Sequence, residues 1–231
     1  MVFSDTSSRR YATEILTPLQ KSLLKTFSNH TLFRDFYLTG GTALSAFYLE
    51  HRYSEDLDFF TEVPQGVTRL IPVVEQISKE MNLKMVLGRR FETLFECTLL
   101  SSQDEKIELD FALDMPGRLM PIKPGKALGV NLDNELDIAS NKLSALYDRS
   151  EPKDFVDLFF ITKKLFTFEE LLKKAHQKYP HLDDYGLAMA FFKVRSVEKL
   201  PRMLQPLGLE ELKQLFLSKA SQLTDLFDTN H

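Results

Sequence analysis

In the run Asp56-Leu57-Asp58-Phe59-Phe60, two carboxylates alternate with large apolar side chains. Successive side chains of a strand point to opposite faces, so Asp56 and Asp58 share one face while Leu57 and Phe59 take the other. Like charges on one face repel. A divalent cation between them relieves that repulsion, and Mg²⁺ (or Mn²⁺) binds through one or two carboxylates together with phosphate oxygens. A second strand-like run, Lys106 to Leu113, repeats the pattern, with Ile107, Leu109 and Phe111 on one face and Glu108, Asp110 and Ala112 on the other. Asp110 is the candidate third ligand.

Ahead of the aspartates, Gly40, Gly41 and Thr42 stand between a short expected strand, Phe36 to Leu38, and a helical pattern in which Leu44, Phe47 and Tyr48 share a face. Glycines at a strand-to-helix turn let the backbone approach a ligand closely, and the helix start offers unpaired N–H groups to an anion. "TGGT" is therefore a candidate phosphate cradle. Alone, a Gly-Gly pair is a tight turn and "DLD" an acidic strand end; in this order they reinforce each other. Ser54, two residues before Asp56, has the same strand phase and reaches the same pocket. His51 and Arg52 close the preceding helix, where a capping or surface role is expected for His51.

The elements that must position these groups are legible from periodicity. Residues Tyr11 to His30 carry an amphipathic stripe of Ile15, Leu19, Leu23, Leu24 and Phe27. "LIPVVEQISKEMNL" predicts a helix, followed by a meander of strands at Lys84–Gly88, Phe91–Leu100 and Lys106–Leu113, with Arg89 and Arg90 at a turn. "MPGRLMPIKPGKALGV" reads as a loop or boundary, and everything beyond it as helical. Pro152 falls in a first helical turn, and Thr167 with Glu170 forms a capping box. The pattern predicts an α+β fold, a mixed sheet with helices followed by a helical C-terminal part. It divides into residues 1–127 and residues 128–231.

With 231 residues, 43% hydrophobic and 27% charged, the chain is long enough for a full core and ordinary in composition. No apolar run approaches a membrane span and no signal-peptide pattern opens the chain, so no membrane partner and a cytosolic (cytoplasmic) place are expected. Cys97 cannot form an intramolecular disulfide and sits in a strand-like run as a core residue. The net charge of -4 argues against a nucleic-acid-coated surface, although a local basic patch remains open.

In the helical part, Lys142 falls between Ala139 and Leu146 on the buried stripe. A lysine there snorkels, meets an anion, or pairs with Asp154 or Asp157. Those two aspartates lie three apart in the nearly all-apolar "DFVDLFFI", so they need partners among Lys142, Arg149 and Lys153.

"LTGGTALSAFYLEHRYSEDLDFF" resembles the first motif of the AbiEii/AbiGii toxin family of nucleotidyltransferases, a branch of the polymerase-beta-like superfamily. "ELDIASNKLSALYDRSEPKDFVDLFFI" is similar to that family's third and fourth motifs, and "IELDF" stands where its third carboxylate is expected. The resemblance spans Phe36 to Ile161 and implies a polymerase-beta-like nucleotidyltransferase fold. It implies an NTP substrate, metal binding and catalysis at Asp56, Asp58 and Asp110, and nucleotide binding at Gly40, Gly41, Thr42, Ser54, Lys142, Arg149, Lys153, Asp154 and Asp157. It further implies the toxin half of a toxin-antitoxin or phage-defence pair, with a cognate antitoxin. Lys193, Arg195, Lys199 and Arg202, with Arg89 and Arg90, form a basic set suited to an RNA acceptor such as tRNA. The alternatives are a catalytically silent NTP-binding protein and a small-molecule transferase of the aminoglycoside type.

Overall fold

The structure is a computed structural model that describes residues 15–228, with side chains described to Thr224. The chain divides into two compact units. The first comprises the described residues up to Glu50 together with Ser54–Asn134; the second comprises His51–Tyr53 and the described residues from Glu135 onward. The boundary expected after residue 127 thus moves to Asn134, because the chain there forms a hairpin that joins the sheet.

In the first unit, helix α1 (Pro18–Ser28) starts at a proline and a capping box. Thr17 Oγ1 accepts from the Gln20 N–H at 3.1 Å, and Gln20 Oε1 accepts from the Thr17 N–H at 2.9 Å. The described helix therefore begins at Pro18; Tyr11, where a longer helix was expected to start, lies outside the described residues. Strand β1 (Tyr37–Thr39) leads into α2 (Gly40–Leu44), which continues as a π turn through Leu49 and stops at Glu50 in the left-handed region. Then follow β2 (Leu57–Thr61), α3 (Gly66–Glu80), β3 (Lys84–Arg90), β4 (Leu94–Leu100), β5 (Lys106–Leu113), β6 (Lys123–Ala127) and β7 (Val130–Leu132).

The seven strands form one mixed sheet in the order β3-β4-β5-β2-β1-β7-β6. β2 runs antiparallel to β1 and parallel to β5. Two expectations change here. Arg89 and Arg90 belong to β3, not to a turn. The Pro/Gly-rich stretch expected as loop supplies the β6–β7 hairpin, where Pro124 and Gly125 are tolerated because β6 is an edge strand.

One face of the sheet is apolar. Phe59, Phe95 and Phe111 lie on it fully buried; Phe111 stacks on Phe59 at 5.4 Å and on Phe95 at 5.9 Å, and Phe27, Phe33 and Phe36 meet this group. Each buried ring contributes about 1.5–3 kcal/mol relative to exposure. That core gives the many phenylalanines a structural role. Cys97 is buried beside it, and burial pushes its thiol up to about 12.

The second unit is helical: α4 (Glu135–Arg149), α5 (Pro152–Lys164), α6 (Phe168–Lys178), α7 (Asp184–Phe192), a 3₁₀ turn (Lys193–Ser196) and α8 (Leu209–Asp228). Pro152 sits in the first turn of α5, and Thr167 and Glu170 form the expected capping box of α6. Phe216 packs against Phe155 and Phe191 in its core. His51–Tyr53 adds to this unit as a short extended segment: Leu204 and Gln205 N–H groups donate to the His51 carbonyl, and Tyr53 N–H donates to the Arg202 carbonyl. Among the described residues, no helix is long and apolar enough to cross a membrane.

Candidate active site

Four side chains line up across the polar face of the sheet. Thr39 on β1 is the register partner of Asp58 on β2, Asp58 of Asp110 on β5, and Asp110 of Glu96 on β4. Asp56 precedes β2 in the same phase as Asp58. The alternate positions Leu57, Phe59, Leu109 and Phe111 are buried, whereas the carboxylates stay half-exposed. Strand alternation thus explains how acidic residues occur beside phenylalanines without entering the core.

The row is electrostatically tense. Burial, and then the charges of Asp58, Glu96, Asp56 and Glu108, push Asp110 up to about 7. Among the described residues no three His, Cys, Asp or Glu side chains converge into a closed cation cage, as befits carboxylates that repel across a sheet. Their chemistry nevertheless fits a hard divalent cation, since all three expected ligands offer carboxylate oxygens and Asp110 is held near neutrality beside like charges.

Glu96 was not among the expected site residues. The alternation Phe95-Glu96-Cys97 puts its side chain outward, but only the pairing of β4 with β5 puts it beside Asp110. It is held by the Arg89 guanidinium, with Nε to Oε2 at 2.7 Å, and that contact lowers its pKa.

The glycine turn is fitted to the carboxylates. Gly40 has φ +69°, and a Cβ there would lie 1.9 Å from Oδ2 of Asp58. Gly41 and Thr42 are buried at the start of α2. The Thr42 hydroxyl donates to the Asp56 carbonyl, so it ties the turn to the strand that carries both aspartates. Ser54 is half-exposed, and its carbonyl, with that of Glu55, accepts from the Gln20 side-chain amide at 3.0 and 3.1 Å. The residue that caps α1 therefore also fixes the approach to Asp56.

A separate charged cluster lies within the second unit. Asp157 on α5 is fully buried and meets three partners. Arg52 donates from Nε to Oδ1 at 2.6 Å and from Nη2 to Oδ2 at 2.9 Å; His51 Nε2 lies 2.8 Å from Oδ1; Lys142 Nζ lies 2.6 Å from Oδ2. Burial works to raise the Asp157 pKa, but Lys142 and Arg52 overcome it and hold the carboxyl well below the usual range. Asp154 takes the Arg149 guanidinium at 2.8 and 2.9 Å, with Lys142 Nζ at 3.7 Å. Of the expected partners, Lys142 and Arg149 are thus brought to the aspartates. Lys153 instead pairs with Glu151 at 3.3 Å.

His51 departs most from expectation. Instead of a surface cap it is fully buried, its ring 5.2 Å from that of Phe160. Burial lowers its pKa, so the imidazole is neutral and donates from Nε2 to Asp157; among the described residues, Nδ1 is buried without a hydrogen-bond partner. No local signal in the sequence reveals this, because the partner lies more than a hundred positions away.

A family model described as "Nucleotidyl transferase AbiEii toxin, Type IV TA system" matches residues 22–227. The "Uncharacterized protein aq_aa25" of Aquifex aeolicus (strain VF5) is 31% identical over 165 residues, 71% of this chain and 76% of the relative. The crystal structure of JHP933 from Helicobacter pylori superposes with a TM-score of 0.56 at 19% identity, covering 99% of this chain and 96% of that one. MenT4, the nucleotidyltransferase toxin Rv2826c from Mycobacterium tuberculosis H37Rv, is similar at a TM-score of 0.48 and 14% identity, over 97% of this chain and 90% of that one. Of these two structures, only JHP933 is near enough in backbone to speak to the fold. The mixed sheet with its helices is an α+β fold, shared in its backbone with JHP933. With a family match running nearly from end to end, the chain belongs to the AbiEii nucleotidyl transferase toxin family and is an enzyme of the nucleotidyltransferase class.

Proposed function

We propose that this enzyme transfers a nucleoside monophosphate from an NTP to the hydroxyl of a structured RNA, tRNA foremost, in a reaction that depends on Mg²⁺ or Mn²⁺. In this reading it is the toxin of a toxin-antitoxin or phage-defence pair acting in the cytosol against a cognate antitoxin. The observation that carries the chemistry is the pairing of Asp58 with Asp110 on adjacent parallel strands, with Asp56 in the same phase, on the face opposite the phenylalanine core.

Asp56, Asp58 and Asp110 are the residues that would hold the metal. A divalent cation held there would neutralise triphosphate charge and ease deprotonation of the acceptor hydroxyl. The acceptor oxygen forms a bond to the α-phosphorus, the bond from that phosphorus to the pyrophosphate oxygen breaks, and the hydroxyl proton passes to an Asp110 carboxylate oxygen. Gly40, with no Cβ, leaves the Asp58 carboxylate its place, and Gly41, Thr42 and Ser54 shape the backbone near the triphosphate. Lys142 binds a phosphate oxygen, and Arg149, Lys153, Asp154 and Asp157 complete the charged surroundings of the nucleotide.

The test incubates the protein with each labelled NTP and total cellular RNA and protein, with and without a chelator. Label on RNA, absent with chelator and absent for Asp58→Asn, is expected. Label on protein or on a small molecule alone rejects the RNA acceptor, and undiminished transfer by Asp58→Asn rejects the carboxylate assignment.

A further inference from the structure

We propose that His51 and Arg52 are positioning residues that clamp Asp157 and, through it, fix the Lys142 ammonium for a nucleotide phosphate; this rests on the nucleotide-binding role of Lys142 given above. A carboxylate offers about four lone-pair directions. On Asp157 three are used by hydrogen bonds, Oδ1 by His51 Nε2 and Arg52 Nε and Oδ2 by Arg52 Nη2, and the Lys142 ammonium is ion-paired with Oδ2. The planar guanidinium and the imidazole fix the carboxylate in two directions at once. Lys142 is the only flexible member, a four-carbon stem whose ammonium is held by the oxygen that the other two have already oriented. An ammonium has three N–H donors. Lys142 Nζ is ion-paired with Asp157 Oδ2 at 2.6 Å, while Asp154 Oδ1 stands at 3.7 Å, beyond hydrogen-bond length, so donor capacity remains for an anion.

The placement of His51 supports a positioning role over simple packing. A fully buried imidazole with an unpartnered Nδ1 carries a desolvation cost that an apolar side chain of similar size would avoid. Its one polar contact is the Asp157 oxygen also gripped by Arg52. The backbone reinforces the clamp, since the His51 carbonyl accepts from two consecutive N–H groups, Leu204 and Gln205, and Tyr53 N–H donates to Arg202. The segment is thus bonded along one edge to residues 202–205 at the point where its side chains reach Asp157.

The test is a double-mutant cycle on NTP affinity, read by calorimetric titration, with His51→Leu, Lys142→Ala and the pair. His51→Leu should weaken NTP binding about tenfold, and the pair should bind no more weakly than Lys142→Ala alone. His51→Gln, which retains a donor at the position of Nε2, should restore most of the affinity. Arg52→Lys, which keeps the charge but loses the fork, should weaken binding like His51→Leu and serves as the readout if that variant fails to fold. Additive losses in the pair, or a folded His51→Leu and Arg52→Lys with unchanged affinity, would overturn the clamp while leaving the nucleotide role of Lys142 standing. Unchanged affinity in Lys142→Ala would overturn that role and the clamp with it.

Discussion

The Asp58 carboxylate occupies the space that a side chain on Gly40 would need. A Cβ at Gly40 would stand 1.9 Å from Oδ2, 2.6 Å from Cγ and 2.9 Å from Cβ of Asp58, so rotation of the carboxylate alone cannot make room. Gly40→Ala should therefore displace Asp58 and reduce transfer at least tenfold, beyond the roughly 1–2 kcal/mol that a left-handed non-glycine residue costs. Gly117 is the control. Its φ is +72°, with nothing within 4 Å of a built Cβ, so Gly117→Ala should show the backbone cost in its melting temperature and keep full activity. Equal activity in the two variants would reject the fit between the turn and Asp58.

Asp110 makes the stability of the metal-free protein depend on pH. Its ordinary value is 3.8 and the fold raises it to about 7, chiefly by burial and then by Asp58 and Glu96. Between those values the native state holds a proton that the unfolded chain releases, so stability is fully present below the ordinary aspartate range and is lost as pH rises to about 7. Melting in chelator between pH 4 and pH 8 should show that decline, and Asp110→Asn should flatten it and melt higher at pH 8. An unchanged slope in Asp110→Asn would assign the decline to other groups.

Period-two alternation makes Asp56, Asp58 and Asp110 legible in the sequence, because each sits between residues that must be buried and the strand leaves it one direction to point. The same alternation turns Glu96 outward, yet the pairing of β4 with β5 is a long-range fact that no local pattern contains. His51 and Arg52 are opaque for the same reason: their partner Asp157 lies on a helix more than a hundred residues on, and a charged pair at a helix end ordinarily marks a wet surface. Composition misleads at Pro124 and Gly125, where turn-forming residues are compatible with an edge strand that need not donate every N–H. Lys153, one residue from Asp154, does not share its face of the helix and pairs instead with Glu151, which precedes the helix in extended conformation.

Removing either member of the Lys142–Asp157 pair should have unequal effects on folding. In Lys142→Ala, Asp157 keeps the Arg52 fork and His51, so stability should fall by about 1 kcal/mol. Asp157→Ala leaves Arg52 and Lys142 together in a buried site without their shared carboxylate, a change of roughly 3–5 kcal/mol. Urea denaturation of the two variants measures the difference. A loss in Lys142→Ala as large as in Asp157→Ala would mean that the lysine, not the arginine, is the principal partner.

The acceptor makes the last prediction. Lys193, Arg195, Lys199 and Arg202 are all exposed within the second unit. Two lie over aromatic rings, Arg195 with its guanidinium carbon 4.7 Å from the Phe192 centroid and Arg202 at 3.6 Å from that of Tyr53. A guanidinium stacked on one face keeps its edge donors for phosphate, and its rotamer is already fixed, so less entropy is lost on binding. Arg89 differs, because Glu96 already occupies its fork. The four residues are therefore the expected RNA-binding set, without Arg89. Each phosphate neutralised on a single strand contributes about 0.7 to the slope of log affinity against log salt, so changing all four to Gln should reduce that slope by up to about 3. The Arg202–Tyr53 stack contributes about 0.5–1 kcal/mol, so a small drop in melting temperature is expected with NTP affinity unchanged. Filter binding of tRNA across a salt series, with labelled-NTP transfer in parallel, measures both. An unchanged slope would reject this patch, and a lost slope with unchanged transfer to RNA would show that the patch binds RNA away from the reacting end.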